Sequence, residues 1–237
     1  MEIKVFDTNI FYEKVGEGKK CVVFLCGWGY GSEIIKPLSK NLEGYTKIFI
    51  DFPGFGKSGQ IKQDLNLESY GLIVKAVLDA EKIEKAAILG HSFGGKVAIF
   101  CAVKYNICEK LVLVASAGIK PKKSLKKTFQ VLRYKRAKKR GRDVSRFGSS
   151  DYLALPKSAR KTFVNIVNTH IDLFLQNITC KTLILAGKQD KDTPLYMQKK
   201  LHKHIKGSIL KVYNTGHYVW VGAFKQVTAE IKEFLGN

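Results

Sequence analysis

Residues 86–95 read Ala-Ala-Ile-Leu-Gly-His-Ser-Phe-Gly-Gly, and this stretch decides the fold. Ala86 to Leu89 is a short, continuous apolar run, which suits a strand buried on both faces of a parallel sheet. Phe93 to Tyr105 then carries helical spacing, so Gly90-His91-Ser92-Phe93-Gly94 is a G-x-S-x-G turn between a strand and a helix. In so sharp a turn a side chain at position 90 or 94 would collide with the neighbouring strand or helix, and the hydroxyl of Ser92 is left raised above the sheet edge. The following helix directs its N-terminal amides and the positive end of its dipole at that hydroxyl. Ser92 is therefore a candidate nucleophile, and a serine at its ordinary pKa needs a general base.

Outward from this turn, strand-like runs alternate with helical ones. Val22 to Leu25, Ile48 to Asp51, Leu111 to Val114, Thr182 to Ala186 and Ile209 to Tyr213 read as further buried strands. Ser32 to Leu42, Leu67 to Ala80, Pro194 to Ile205 and Val219 to Leu235 carry helical spacing, with Ser32 and Asn66 as N-caps and Thr193-Pro194 as a cap followed by proline at the first helical position. Ile3 to Phe6 and Asn9 to Lys14 read as a hairpin turning at Asp7-Thr8. The fold class is α/β: a doubly wound, mostly parallel sheet of about eight strands with helices on both faces.

Residues 118–177 break the alternation, being first basic, then Gly/Ser-rich around Gly148-Ser149-Ser150, then helical from Pro156 to Leu175. A stretch of that length without a strand is expected to be a helical cap inserted after the sixth strand. With 237 residues, 45% of them hydrophobic, residues 1–237 are expected to form a single domain with one sizeable core.

Composition narrows the function classes. Met1 to Phe11 alternates apolar and polar residues and does not read as a signal peptide, and no apolar run approaches the roughly 20 residues of a membrane-spanning helix. Five scattered cysteines without C-x-x-C spacing fit a reducing, cytoplasmic compartment, and no metal is expected, since only His202 and His204 lie close together. The net charge of +21 is concentrated: twelve Lys or Arg and no Asp or Glu fall between Lys120 and Arg142. Leu125, Phe129 and Leu132 are spaced for one helix face there, framed by Lys126, Lys127, Arg133 and Arg136. The preferred reading is a lid helix packing over the site with its charges in water; contact with an anionic membrane surface or an anionic substrate is the alternative. Nucleic acid is not the expected partner, because no aromatic stacking pattern or base-reading motif accompanies the charge.

His217, in Asn214-Thr215-Gly216-His217-Tyr218 just past the last strand, is the best placed base, because loops at the carboxyl ends of such strands converge on one site. Asp190, in the loop after the strand Thr182 to Ala186, is the acid expected to orient it, with Asp192 as runner-up. The chain order is then Ser, Asp, His.

With these motifs in place the chain resembles the α/β-hydrolase superfamily over nearly its whole length. Leu25-Cys26-Gly27-Trp28-Gly29 is similar to that family's H-G-x-G turn, and Asp51-Phe52-Pro53-Gly54-Phe55-Gly56-Lys57-Ser58 to its D-x-P-G-x-G-x-S loop. The resemblance implies an oxyanion hole made by the backbone amides of Trp28 and Phe93, worth about a hundred-fold in rate for each donor. It also implies a departure, since Cys26 stands where the family usually has His; the thiol reads as buried packing. Ser92 sets the chain apart from the related dehalogenases and epoxide hydrolases, which carry Asp at that position. Trp28, Phe93, Phe129, Tyr152 and Phe174 are candidates to line an acyl pocket.

The expected activity is that of a serine esterase, cleaving a carboxylic ester or thioester of a small to medium acyl substrate through an acyl-enzyme, without metal or organic cofactor. A lyase or carbon–carbon hydrolase with the same triad is the alternative, and a non-catalytic protein docking anionic surfaces through the basic cap is the rival from another class.

Overall fold

Period-two patterning shows directly in how the central strands divide their side chains. In the computed structural model, which describes residues 1–122, 133–134, 136–137, 139–141 and 150–236, strand β3 (Lys20–Leu25) turns Val23 and Leu25 to one apolar cluster and Val22 and Phe24 to another. The same split recurs in β5 (Ala86–His91), β6 (Cys108–Val114) and β7 (Lys181–Gly187), so each is buried on both faces. The first cluster is covered by α1 (Leu67–Ala80) and α2 (Phe93–Lys104), with α5 (Leu195–His204) adding Met197 and Leu201. The second is covered mainly by α6 (Val219–Gly236).

With β1 (Glu2–Val5), β2 (Thr8–Val15), β4 (Tyr45–Ile50) and β8 (Ile209–Tyr213), the sheet has eight strands in the order β1-β2-β4-β3-β5-β6-β7-β8. The β1–β2 and β2–β4 pairs are antiparallel and all others parallel. From β3 the chain moves outward to β4, then returns to place β5 on the other side. The strand order therefore reverses between β3 and β5, where the loops leaving their carboxyl ends diverge and open a crevice.

Most expected elements lie within a few residues of their sequence reading. Asn66 caps α1 in a reciprocal pair with Ser69, its side chain accepting from the Ser69 amide at 2.9 Å while Ser69 Oγ accepts from the Asn66 amide at 3.2 Å. Three expectations need correction. Ser32 to Leu42 is not one helix but two 3₁₀ turns, Ser32–Ile34 and Lys36–Ser39, because Pro37 lacks an amide proton and the Ser32 amide is drawn to Asp51 Oδ1 at 2.6 Å. The hairpin turns at Phe6 and Asp7, both at positive φ (51° and 57°), one residue earlier than expected. Finally, β8 is an edge strand with Ile209 and Val212 exposed, so it is not buried on both faces.

Within the expected cap, α3 (Ser150–Ala154), α4 (Lys157–Asn168) and a 3₁₀ stretch, Asp172–Asn177, are helical. The α4 helix buries Ala159, Thr162 and Ile166, spaced i, i+3 and i+7, against the core. Thr162 Oγ1 accepts from the Leu65 amide at 2.9 Å, and Asn165 Nδ2 donates to the Leu65 carbonyl at 3.2 Å. The apolar stripe Leu125, Phe129 and Leu132, with Lys126 and Lys127, lies outside the described residues; Arg133 and Arg136 are exposed. Among the described residues no helix is long and apolar enough to cross a membrane.

Candidate active site

The β3–β5 switch point is where the sequence motifs converge. Ser92 follows β5 with φ 51° and ψ −114°, a strained conformation for a residue with a side chain. Its backbone is held on several sides: its amide donates to the Val114 carbonyl at 3.0 Å, and its carbonyl accepts from Ala117 at 2.9 Å and Gly95 at 3.1 Å. The elbow glycines are required by contact. A Cβ at position 90 would lie 2.4 Å from the Gly94 carbonyl oxygen, and one at position 94 only 2.1 Å from that of Leu25. Beside the elbow, a Cβ at Gly27 would lie 3.4 Å from Ser92 Cβ, so the turn after β3 runs directly against Ser92.

The loops after β7 and β8 bring in Asp190 and His217. His217 Nδ1 and Asp190 Oδ2 are 2.9 Å apart, and since the ionised carboxylate only accepts, Nδ1 carries the proton and Nε2 is left as the basic nitrogen. Asp190 is 5% exposed and its carboxylate is fully engaged. Oδ1 accepts from the amides of Asp192 (2.8 Å) and Thr193 (2.9 Å), and Thr193 Oγ1 lies 2.7 Å from Oδ2. Burial by itself would raise this carboxyl; the hydrogen bonds from His217 and Thr193 outweigh it and hold the pKa down at about 2. Asp192, the runner-up, is exposed and contributes only its amide. The ligand atoms of Asp190, Asp192 and His217 lie within 4.8 Å of one another, but with Asp190 taken up by four donors the group is built as a hydrogen-bonded pair and its support.

His91, inside the elbow, packs its ring 4.7 Å from that of His217, and its Nε2 donates to the His217 carbonyl at 3.2 Å. Burial, followed by the nearby His217, pushes the His91 pKa down to about 3, so the ring stays neutral. This contact fixes the His217 loop against the residue preceding Ser92. Ser92 Oγ itself hydrogen-bonds to no described residue.

The amides of Trp28 and Phe93 donate to no described acceptor. Phe93 is the first residue of α2, where an amide has no partner within the helix, and Trp28 follows Gly27 beside Ser92. Two unengaged donors therefore flank the raised serine. Cys26 is 2% exposed, and burial pushes its thiol up to about 12, in keeping with inert packing.

A family model described as the alpha/beta hydrolase fold matches residues 20–165, more than half of the chain. The chain belongs to the α/β-hydrolase fold family. A relative from Pseudomonas putida, a 2-hydroxy-6-oxononadienedioate/2-hydroxy-6-oxononatrienedioate hydrolase, is 27% identical over 90% of this chain and 86% of its own. Among solved structures, an esterase from Exiguobacterium antarcticum superposes with TM-score 0.81 at 20% identity, covering 100% of this chain and 99% of that one. An enol-lactonase from Burkholderia xenovorans does so with TM-score 0.81 at 18% identity, covering 100% of each.

For this α/β-hydrolase the aromatic surroundings differ from the sequence expectation. Trp28 packs edge-on against Phe93 and against Phe163 of α4, with ring centroids 5.3 Å apart in both cases. Phe163 had no motif to mark it. Phe174 is 40% exposed and does not line the site, because the 3₁₀ stretch turns it outward; Phe129 lies outside the described residues. Tyr152 stands behind Phe163, at 6.2 Å. Thr193, expected as the cap of α5, is not its cap: Pro194 holds that position without a side-chain bond, and Thr193 supports Asp190 in an Asp-x-x-Thr pattern whose Asp side chain closes on the amides that follow it.

Proposed function

We propose that this protein is a serine hydrolase that cleaves a carboxylic ester or thioester of a small to medium acyl substrate through an acyl-enzyme. The observation that carries the reading is the meeting of a strained Ser92, two unengaged amides at Trp28 and Phe93, and the 2.9 Å pairing of His217 with Asp190. Ser92 Oγ attacks the carbonyl carbon as His217 Nε2 takes its proton. The Trp28 and Phe93 amides hold the oxyanion, and collapse expels the alcohol or thiol, which takes the proton from His217. Water, activated by the same imidazole, then releases the acid and restores Ser92. Residues 1–237 are read as one domain with 118–177 as its cap, and the five free thiols support a reducing, cytoplasmic setting.

A second reading, carbon–carbon bond hydrolysis by the same residues, is favoured by the dienedioate named for the P. putida relative. It shares Ser92, Asp190, His217 and the amides and differs only in the bond broken.

The test is fluorophosphonate labelling of the wild type beside Ser92→Ala, with mass spectrometry of the adduct and a panel of p-nitrophenyl esters. Labelling confined to Ser92, with ester turnover lost in the variant, is the expected outcome. Labelling without ester turnover moves the second reading to the front. A folded wild type that takes no label overturns both and leaves the exposed basic surface as a docking site.

A further inference from the structure

The α4 helix lies against α2, and between them sits a cation with no counter-ion among the described residues. Lys96 is 4% exposed, and among the described residues no Asp or Glu lies within ion-pair distance of it. Its ammonium, with three donors, has a single described partner, the carbonyl of Ile166 on α4. Asp172 is engaged by Lys200 and by the Lys120 amide. The Ile166 carbonyl is one of the free ones at the C-terminal, negative end of α4, so it meets part of the charge and leaves two of the three donors unmatched among the described residues. Burial pushes the Lys96 pKa down to about 8, which leaves it mostly charged at neutral pH. The adjacent His170, whose pKa is lowered by burial and then by Lys96, has no anionic form to serve as a counter-ion.

The position of this cation ties it to the candidate active site. Lys96 lies one helical turn after Ser92, and its amide donates to the Ser92 carbonyl at 3.3 Å. Phe163 of α4 packs on Trp28, and the Ile166 carbonyl at the C-terminal end of the same helix accepts from Lys96, so one helix contacts both residues. Trp28 Nε1 is a second buried donor without a partner among the described residues. The buried side chains here are apolar apart from Thr162, which is engaged by the Leu65 amide, with Ala159 and Ile166 from α4 and Ile171 beyond it. One cation and few further donors in an apolar enclosure suit a singly charged carboxylate better than a phosphate, which asks for more donors.

Resting on the hydrolase reading above, we propose that Lys96 is a specificity residue that receives a carboxylate carried by the acyl part of the substrate, so that the preferred substrates are hemi-esters of dicarboxylic acids. The carboxylate enters under α4 and pairs with Lys96 Nζ while the reacting carbonyl reaches Ser92.

The experiment compares mono-p-nitrophenyl glutarate with p-nitrophenyl valerate, an acyl chain of equal length without the charge, and with an ester whose acyl chain ends in trimethylammonium. In the wild type the expected order of kcat/KM is carboxylate, then neutral, then cation. In Lys96→Met the glutarate-to-valerate ratio falls by about tenfold or more, chiefly through KM, as expected when a buried charge pair loses one partner. A wild type that prefers the neutral or cationic ester overturns the proposal without recourse to the variant, as does an equal fall for both esters in Lys96→Met, the mark of a merely structural tether. Carboxylate recognition is read apart from turnover by titrating glutarate into Ser92→Ala and into the Ser92→Ala, Lys96→Met double variant. Lys96-dependent glutarate binding in a protein that turns over no ester rejects the hydrolase reading and keeps the anion site; ester turnover with no such binding does the reverse.

Discussion

Asp190 and Asp192 are two residues apart in sequence and differ in every physical respect. Asp190 is buried, accepts four hydrogen bonds and faces His217 Nδ1, whereas the Asp192 side chain is exposed. On the proposed mechanism Asp190→Asn presents the wrong group to Nδ1 and disfavours the productive tautomer, and kcat for p-nitrophenyl esters is expected to fall by about 10⁴-fold. Asp192→Asn keeps the backbone amide that serves Asp190 and is expected to stay within about threefold of wild type. Steady-state kinetics on the two variants side by side check both outcomes, and a larger loss in Asp192→Asn would reverse the assignment. His91 shows how a residue type misleads by itself. It is neither spare base nor ligand but a neutral, buried ring that holds the His217 backbone to the elbow.

At the level of elements, the elbow depends on β5, α2 and the turn after β3 approaching more closely than any side chain allows. Gly94→Ala would push a methyl to within 2.1 Å of the Leu25 carbonyl oxygen, an obstacle of backbone that cannot rotate away. A loss of about 3 kcal/mol is expected, or roughly 6–12 °C in Tm for a chain of this length, measurable by thermal unfolding. An unchanged Tm would mean that the β3 turn yields. The loop after β4 acts on the same turn. Asp51 Oδ1 accepts from Ser32 at 2.6 Å and Oδ2 from Lys57 at 2.8 Å, so one buried carboxylate joins the segment beyond Trp28 to the Gly-rich loop. Gly56 is required there, since a Cβ would lie 2.1 Å from Oδ2. The D-x-P-G-x-G-x-S stretch thus serves as a brace in this structure: Ser58 Oγ donates to the Asp51 carbonyl at 2.6 Å and accepts from the Phe11 amide at 2.8 Å, which carries the brace on to β2.

For the whole molecule, Asp190 links the candidate site to acid stability. Its pKa is held at about 2, below the roughly 3.9 of an unfolded Asp. A group depressed in the folded state contributes stability above its unfolded pKa and loses that contribution as pH falls through the folded value. The stabilising term is therefore present in full above about pH 4 and fades toward pH 2, amounting to roughly 2 kcal/mol. Urea unfolding between pH 2 and pH 6 should show a steeper acid loss in the wild type than in Asp190→Asn. Parallel slopes would mean that the Asp190 carboxylate is not held down in the folded protein. Among the described residues, hydrogen bonds and ion pairs between residues 150–177 and the rest of the molecule include Thr162 and Asn165 to Leu65, Lys96 to Ile166, Lys200 to Asp172, and the Ile171 amide to the Gly118 carbonyl at 3.0 Å.

The sheet, the elbow and the three loops that meet at the site were legible in the chain because their signals are local. A buried parallel strand is a continuous apolar run, a tight turn demands glycine where a Cβ would strike backbone, and residues after strands fall on one edge of the sheet whatever else the fold does. What failed locally had a nonlocal cause: Ser32 gave up its helical role to Asp51, 19 residues away, and β8 read as interior although its place in the strand order leaves it at the edge. Only the tertiary structure decided which of two aspartates meets His217, that Phe163 packs on Trp28, and that Lys96 is buried against α4 with no acidic partner among the described residues. Those facts depend on how segments about 70 residues apart, such as Lys96 and Ile166, come to lie against each other. Long-range packing of that kind follows from the summed burial of many side chains and leaves no mark at any single position of the sequence.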